Sequence, residues 1–342
     1  MKKIRILWIL FVMLGILCSA VLVCADGDLS AGDPSADSED VYKQYESGNQ
    51  CYEEGDYKEA VHWYTKAAEQ NFAPAQYLLG CCYAEGKGVD VDADTAISWW
   101  QKAADQGHMS ALNDLGYCYY YGEGIDQDYK KAFEFFLKAA DAGDAEAEYN
   151  VGNCYNSGTG IDADPEKAIF WYLKAAEQNH TLALNSVGNW YASLGLEEAY
   201  QEANSWWKKA AEQGNADAFF NLGVSYYEGL GVEADLQQAI EFWQKAADMD
   251  QEYALFNLGN CYFSGNGVPQ DFDRAYELYT KSAQLGYHEA QNVLGNILFM
   301  GEIVEQDVLQ AISWWYYAAE QGNINAAEKL KSAEKFLADT QK

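Results

Sequence analysis

The chain has 342 residues, of which 53 are acidic and 22 are basic, so its formal net charge is −31 at pH 7. A surface this acidic repels phosphate backbones and anionic headgroups, which excludes nucleic acid and anionic membrane surfaces as partners. Hydrophobic residues make up 49% of the chain, which is enough apolar material for a large buried core.

The N-terminus carries an export pattern. Lys2, Lys3 and Arg5 precede an apolar run at 6–24, and the small residues that signal peptidase prefers follow at 23–25. Residues 1–25 are therefore predicted to be a signal peptide or an uncleaved membrane anchor, with cleavage preferred. In either case we expect an exported protein that is periplasmic, secreted or anchored facing out. Residues 26–40 hold six acids and no base, which predicts a disordered linker.

Residues 109–144 form the unit that the rest of the chain repeats. Its first half has small and apolar residues at helical spacing, with Gly116 where a neighbouring helix can approach closely. Gly122 and Gly124 predict the end of this first helix, and Asp128 is the expected N-cap of a second helix. Neither helix can bury its apolar face alone, so each copy needs the next.

Equivalent residues recur at a fixed spacing along the chain. The first-helix glycine is Gly80, Gly116, Gly152, Gly188, Gly223, Gly259 and Gly295, and the second-helix alanine is Ala96, Ala132, Ala168, Ala203, Ala239, Ala275 and Ala311. Both series step by 36 residues, except for one step of 35. Such a period predicts a solenoid in which each unit contacts mainly its neighbours.

The pattern A-x-x-x-LG-x-x-Y-x-x-G-x-GV-x-x-D-x-x-x-A-x-x-W-x-x-KAAEQG resembles the SEL-one-like repeat (SLR) family, exported bacterial type, which is related to tetratricopeptide repeats. The resemblance covers roughly residues 41–322. It implies an all-α fold, a right-handed α/α superhelical solenoid of helix-turn-helix repeats of about 36 residues. It also implies a protein-binding adaptor, and not an enzyme.

Residues 73–323 are predicted to form seven such repeats. Residues 41–72 have a shorter turn at Gly55-Asp56 and are predicted to be a tetratricopeptide-like repeat. The copy around Ser193-Leu194-Gly195 lacks the paired glycines and the aspartate, so its turn should differ. Residues 324–342 are expected to form a C-terminal capping helix, which gives about sixteen repeat helices plus one.

No catalytic or metal-binding pattern stands out. The four histidines (His62, His108, His180 and His288) fall in different repeats, and no Cys/His cluster has zinc spacing. His108 and His180 follow the second-helix end, where a capping or solvated role is expected. No cofactor or metal is expected.

Cysteines outside the export segment are expected to be free thiols. They are Cys51, Cys81, Cys82, Cys118, Cys154 and Cys261. Equivalent positions in neighbouring repeats lie about 10 Å apart, which is too far for a disulfide. A cysteine-rich branch of the family, linked to β-lactamase-type activity, carries a C-x7-C spacing that this chain lacks. The activity of that branch is therefore not transferred to this chain, and a cell-wall-related enzyme or enzyme accessory of that type is kept only as the alternative function.

Lysines and tryptophans recur on the second helices. Lys66, Lys102, Lys138, Lys174, Lys209, Lys245 and Lys281 lie three residues before Glu or Asp in most copies, which predicts weak surface pairs. Trp99-Trp100, Trp206-Trp207 and Trp314-Trp315 share one position and are expected to pack between helices.

The concave face that tetratricopeptide geometry would give the first helices holds aromatic residues and asparagines. The predicted peptide-binding residues are Asn49, Tyr77, Tyr117, Tyr120, Tyr149, Asn153, Asn189, Phe220, Tyr227, Phe256, Asn260, Phe263 and Asn296. Amides can pair with a peptide backbone, and aromatic rings supply contact area, although packing between repeats is the alternative role for the rings.

The leading hypothesis is an exported, non-enzymatic scaffold that binds a peptide or protein segment on this face. A membrane would be contacted only through the N-terminal segment, if that segment is uncleaved. Replacing Asn153 and Asn189 with alanine is expected to weaken binding by roughly 1 kcal/mol each, with little change in melting temperature.

Overall fold

The structure is a computed structural model that describes residues 36–340, with the side chains of residues 39–333. The described residues form seventeen helices and no strand. The predicted signal or anchor segment and the linker residues 26–35 lie outside them. Within the described range, none of the helices combines the length and apolar character needed to cross a membrane.

The helices follow one another at short intervals. They are α1 (Ala36–Glu53), α2 (Tyr57–Glu69), α3 (Ala73–Glu85), α4 (Ala93–Ala104), α5 (Met109–Tyr121), α6 (Tyr129–Asp141), α7 (Ala145–Ser157), α8 (Pro165–Glu177), α9 (Thr181–Ser193), α10 (Glu197–Glu212), α11 (Ala216–Glu228), α12 (Leu236–Ala247), α13 (Glu252–Ser264), α14 (Phe272–Gln284), α15 (His288–Met300), α16 (Val308–Glu320) and α17 (Ile324–Thr340).

The chain divides into two compact units, of which the first ends at Val91 and the second begins at Asp92. In the first unit α1 pairs with α2, and α3 packs on α2. In the second unit the pairs α5–α6, α7–α8, α9–α10, α11–α12, α13–α14 and α15–α16 follow α4, each packs on the next, and α17 packs on α16. This serial packing confirms the predicted all-α solenoid of helix-turn-helix repeats.

The turn inside a repeat has the chemistry that the sequence predicts. Gly122 and Gly124 adopt φ angles of 74° and 68°, a region that glycine enters without strain. The Asp128 side chain accepts a hydrogen bond from the backbone N–H of Lys131 at 3.1 Å, which caps α6. In the copy without this motif, only residues 194–196 separate α9 from α10, and Leu196 provides no side-chain cap.

The glycine of the first helix lies against an aromatic ring of the second. A Cβ built on Gly116 would lie 2.4 Å from the ring of Phe136, so only glycine allows this approach. The same contact recurs in Gly48–Tyr64, Gly152–Tyr172, Gly188–Trp207, Gly223–Trp243, Gly259–Tyr279 and Gly295–Trp315. All seven of these rings are buried, and they hold the two helices of each pair together.

α1 begins earlier than the predicted first repeat. Residues 36–40, which the sequence assigns to a disordered linker, are helical. Lys43 Nζ lies 2.7 Å from Glu39 Oε1, and Gln44 Nε2 donates to Asp40 Oδ2 at 3.1 Å. These side chains are four residues apart and support one more helical turn.

The six described cysteines are free thiols, and Cys82, Cys118, Cys154 and Cys261 are buried. Burial raises the pKa of the Cys118 thiol to about 12 and that of Cys154 to about 11. These side chains therefore serve as small apolar core residues.

Six of the seven recurring lysines, all except Lys281, contact the aromatic ring three residues earlier in the chain, in place of the predicted acids three residues later. Lys102 Nζ lies 3.6 Å from the centre of the Trp99 ring, and Lys209 Nζ lies 4.1 Å from the Trp206 ring. Trp99 and Trp206 are thus half-buried beneath a lysine, while Trp207 is 5% exposed and belongs to the core.

Candidate functional site: the first-helix face

The first-helix face comprises the exposed and half-buried side chains on α5, α7, α9, α11, α13 and α15. Successive first helices touch one another directly. Asn150 Nδ2 on α7 donates to Tyr117 Oη on α5 at 2.8 Å. Asn221 Nδ2 on α11 donates to Asn189 Oδ1 on α9 at 3.0 Å, and a ring contact of 5.5 Å joins Phe220 to Tyr253 on α13. The face is therefore continuous through the second unit.

Most of the predicted binding residues lie on this surface. Eleven of the thirteen belong to the first-helix face, and all of these are exposed or half-buried: Tyr117, Tyr120, Tyr149, Asn153, Asn189, Phe220, Tyr227, Phe256, Asn260, Phe263 and Asn296. Asn49 and Tyr77 belong to the first unit. Tyr77 is only 3% exposed, so its ring is part of the core and not of an open face.

The asparagine that follows the first-helix glycine is bound to the buried aromatic residue of its own pair. Tyr172 Oη donates to Asn153 Oδ1 at 2.8 Å, and Trp207 Nε1 donates to Asn189 Oδ1 at 3.0 Å. The other such pairs are Tyr64–Asn49 at 3.0 Å, Tyr279–Asn260 at 2.8 Å and Trp315–Asn296 at 3.2 Å. Because these donors are buried, we expect alanine here to lower stability, contrary to the sequence-based expectation of little change in melting temperature.

The aromatic donors also orient the amides. With Oδ1 engaged, Nδ2 is the atom left to bind something else, and in Asn153, Asn189 and Asn260 it has no hydrogen-bond partner among the described residues. These three side chains are half-buried or exposed. The row therefore presents fixed hydrogen-bond donors, which suit carbonyl oxygens.

Two copies without this asparagine show how the pairing depends on the ring. Where the ring is Phe136, which has no donor, the position holds Tyr117. Where the ring is Trp243, the position holds Val224, and Trp243 Nε1 is buried without a partner among the described residues. Where the copy has both a Tyr or Trp donor and the asparagine, the asparagine accepts a hydrogen bond from that ring.

A carboxylate that the sequence analysis missed lies at the N-terminal part of this face. Glu146 Oε1 accepts from Tyr117 Oη at 2.8 Å, and Glu146 Oε2 lies 2.9 Å from His180 Nε2. The hydrogen bond with His180 holds the pKa of the Glu146 carboxyl below its usual value. Glu146 lies one helical turn before Tyr149, outside the rows read from the sequence, and that three-residue spacing is the signal that could have identified it.

His180 has both ring nitrogens committed. Its Nδ1 accepts the backbone N–H of Ala183 at 3.2 Å and caps α9, which leaves the proton on Nε2 facing Glu146. His108 caps α5 in the same way. These histidines thus cap the N-terminus of the following helix, and not the end of the preceding one as the sequence analysis expected. His180 has no free lone pair to act as a general base.

Amides and rings continue the face toward the C-terminus. Asn221 Nδ2 also lies 3.3 Å from Asn185 Oδ1, so three asparagines meet between α9 and α11. Beyond them, the Tyr253 ring lies 4.9 Å from Tyr287, which in turn lies 5.1 Å from Phe256. The sequence analysis did not select Asn221, Tyr253 or Tyr287.

The described residues contain no group of three or more His, Cys, Asp or Glu side chains placed to hold a metal ion. What the face offers is oriented amide donors, one fixed carboxylate and partly exposed aromatic rings. This combination suits recognition of an extended chain, in which backbone and side-chain groups alternate.

Comparison with known proteins agrees with this architecture. The Sel1 repeat model matches residues 44–72, 73–108, 110–144, 145–180, 181–215, 216–251, 252–287 and 288–323. The first of these matches includes the repeat with the shorter turn at Gly55-Asp56. A crystal structure of c5321, a protective antigen of uropathogenic Escherichia coli strains with an SLR fold, is 33% identical, with a TM-score of 0.70. The match covers 87% of this chain and 65% of that antigen, so this chain spans slightly under two thirds of its length.

A second solved structure, a Sel1 repeat protein from Oxalobacter formigenes, is 28% identical, with a TM-score of 0.66. This match covers 92% of this chain and 99% of that protein. Among curated proteins, none matches the chain.

Proposed function

Because the chain belongs to the Sel1 repeat family, whose repeats form protein-interaction scaffolds, we propose that its first-helix face binds an extended segment of a partner protein. The carrying observation is the row of asparagines whose Oδ1 atoms are engaged by buried Tyr and Trp donors. Each amide is held in one orientation, so its Nδ2 can donate to a backbone carbonyl without first losing side-chain entropy. Backbone recognition of this kind needs little sequence identity in the ligand.

The role is that of a non-enzymatic scaffold. His180, whose Nε2 faces the Glu146 carboxylate, is bound at both ring nitrogens and so has the geometry of a structural residue. The family of protein-interaction repeats supports the same assignment.

The binding proposal is tested with peptides displayed as a library and selected on the immobilised full chain. The affinity of a selected peptide is then measured by fluorescence anisotropy on variants. Asn189→Asp keeps an acceptor for Trp207 and Asn221 but removes the Nδ2 donor, so it should weaken binding about tenfold while the melting temperature stays near that of the wild type.

A matched control adds the same charge elsewhere. Ser205→Asp lies on the exposed side of α10, at the repeat position where other copies hold Glu134 and Glu241. It should leave the affinity unchanged. Equal effects of both variants, or failure to select any peptide, would show that the asparagine row is not a binding site.

We also propose that the protein is exported and that its first-helix face works outside the cytoplasm. The support is the sequence pattern of residues 1–25, which lies outside the described residues. Fractionation of the producing cell should find the chain in the periplasm, the medium or the membrane, and removal of residues 1–25 should retain it in the cytoplasm. Finding the full chain in the cytoplasm would contradict export.

A further inference from the structure

Charge is distributed unevenly over the second unit. The described lysines of this unit occur on the second helices and on α17, whereas α5, α7, α9, α11, α13 and α15 contain no lysine or arginine. Five of these six helices, all except α9, carry exposed or half-buried acids, among them Glu146, Asp217 and Glu289. Lys329 on α17 reaches the end of the face, where its Nζ donates to Asn292 Oδ1 at 3.1 Å. The field over this face therefore attracts cations.

Glu146 differs from the other acids because it is held in place. Tyr117 from α5 and His180 from the start of α9 both donate to its carboxylate, which joins three successive copies. Its side chain remains 47% exposed, so a ligand can reach it. The pKa of the carboxyl is lowered chiefly by the hydrogen bond with His180, and the group is ionised at neutral pH.

Tyrosine rings lie against the two donors of this carboxylate. The Tyr149 ring lies 4.9 Å from His180, and the Tyr117 ring stacks on Tyr121 at 6.2 Å with an angle of 10° between the planes. Tyr121 is 56% exposed. A fixed carboxylate beside tyrosine rings is the arrangement that receives an ammonium or guanidinium group, through a charge-assisted hydrogen bond and cation–π contacts.

We propose that the segment held by the first-helix face is cationic, and that Glu146 receives a lysine or arginine side chain from it. This inference rests on the proposed function, and it adds the chemistry of the partner and the residue that selects it.

The repeat position of Glu146 also suggests the spacing of the ligand. Successive copies hold Glu146, Leu182, Asp217, Tyr253 and Glu289 at this position, so acidic and apolar side chains alternate. Leu182 and Tyr253 are 46% and 41% exposed. Packed helices lie about 10 Å apart, and an extended chain advances about 3.3 Å per residue, so each copy faces about three residues. The ligand should carry cations about six residues apart, with an apolar residue between them.

The experiment compares peptide selections on three forms of the full chain. Peptides selected on the wild type should be enriched in lysine or arginine at two positions about six residues apart. Selection on Glu146→Gln, which keeps the size of the side chain but removes its charge, should lose the enrichment at one of them. Glu134→Gln removes the same charge from the exposed side of α6 in the preceding copy, so its selection should match the wild type.

Affinities then measure the contact itself. Replacing the enriched lysine with the neutral isostere norleucine should weaken binding to the wild type about tenfold, with no further loss on Glu146→Gln. Peptides without cationic enrichment, or equal enrichment on Glu146→Gln, would overturn the cationic inference while the proposed function stands. If no peptide is selected, or if Asn189→Asp leaves the affinity of a selected peptide unchanged, the proposed function itself fails.

Discussion

Val224→Asn should make the protein more stable. Trp243 is 3% exposed, and its Nε1 has no partner among the described residues. In two other copies the same indole donor is bound by asparagine, at 3.0 Å in Trp207–Asn189 and 3.2 Å in Trp315–Asn296. The Trp243 ring lies against Gly223 as Trp315 lies against Gly295, with closest Cβ distances of 2.4 and 2.6 Å. An asparagine at position 224 can therefore reach the indole.

The expected gain follows from two opposing terms. A buried donor without a partner costs about 1–3 kcal/mol, and the new acceptor removes that cost. The half-buried valine packs on the core around Trp243, and losing this contact costs about 1 kcal/mol. The balance is a gain of about 1 kcal/mol, which raises the melting temperature of a chain of this size by roughly 1.5 °C.

Thermal unfolding followed by circular dichroism at 222 nm tests this value on the full chain. Val224→Ala is the matched control, because it loses the valine contact without supplying an acceptor, and it should melt below the wild type. A Val224→Asn variant that melts at or below Val224→Ala would refute the argument that the asparagines serve as acceptors for buried rings.

Three further results are expected. Asn153→Ala should lower the unfolding free energy by about 1 kcal/mol, but by much less in a Tyr172→Phe background, since the cycle removes the donor at 2.8 Å; additive effects would contradict the pairing. Gly116→Ala should destabilise the protein by about 1–3 kcal/mol in chemical denaturation, because its Cβ would lie 2.4 Å from Phe136, and an unchanged midpoint would contradict that contact. Cys118 should react with a thiol reagent at pH 8 roughly a thousandfold more slowly in the folded than in the unfolded chain, since burial raises its pKa from 9.0 to about 12; rapid labelling of folded protein would contradict this burial.

Local signals in the sequence were sufficient for the architecture. The glycines after α5 and the N-cap Asp128 lie within a few residues of one another, so the geometry of the turn follows from backbone preferences alone. The steps of 36 residues show that the same unit recurs along the chain. The altered turn at 194–196 was predictable for the same reason. The asparagine row was also visible, because one repeat position is enough to place a side chain on one side of a helix.

What these side chains contact was decided by the tertiary structure. Asn153 is bound by Tyr172, 19 residues later, and Glu146 by His180, 34 residues later, across helices and copies whose separations a repeat pattern does not specify. Lys102 turns to the Trp99 ring although an acid stands three residues ahead, because the half-buried ring offers a contact that the sequence spacing does not reveal. Helical periodicity thus determined which side chains share a face, whereas the packing distance between helices decided which of them are engaged and which atoms remain for a ligand.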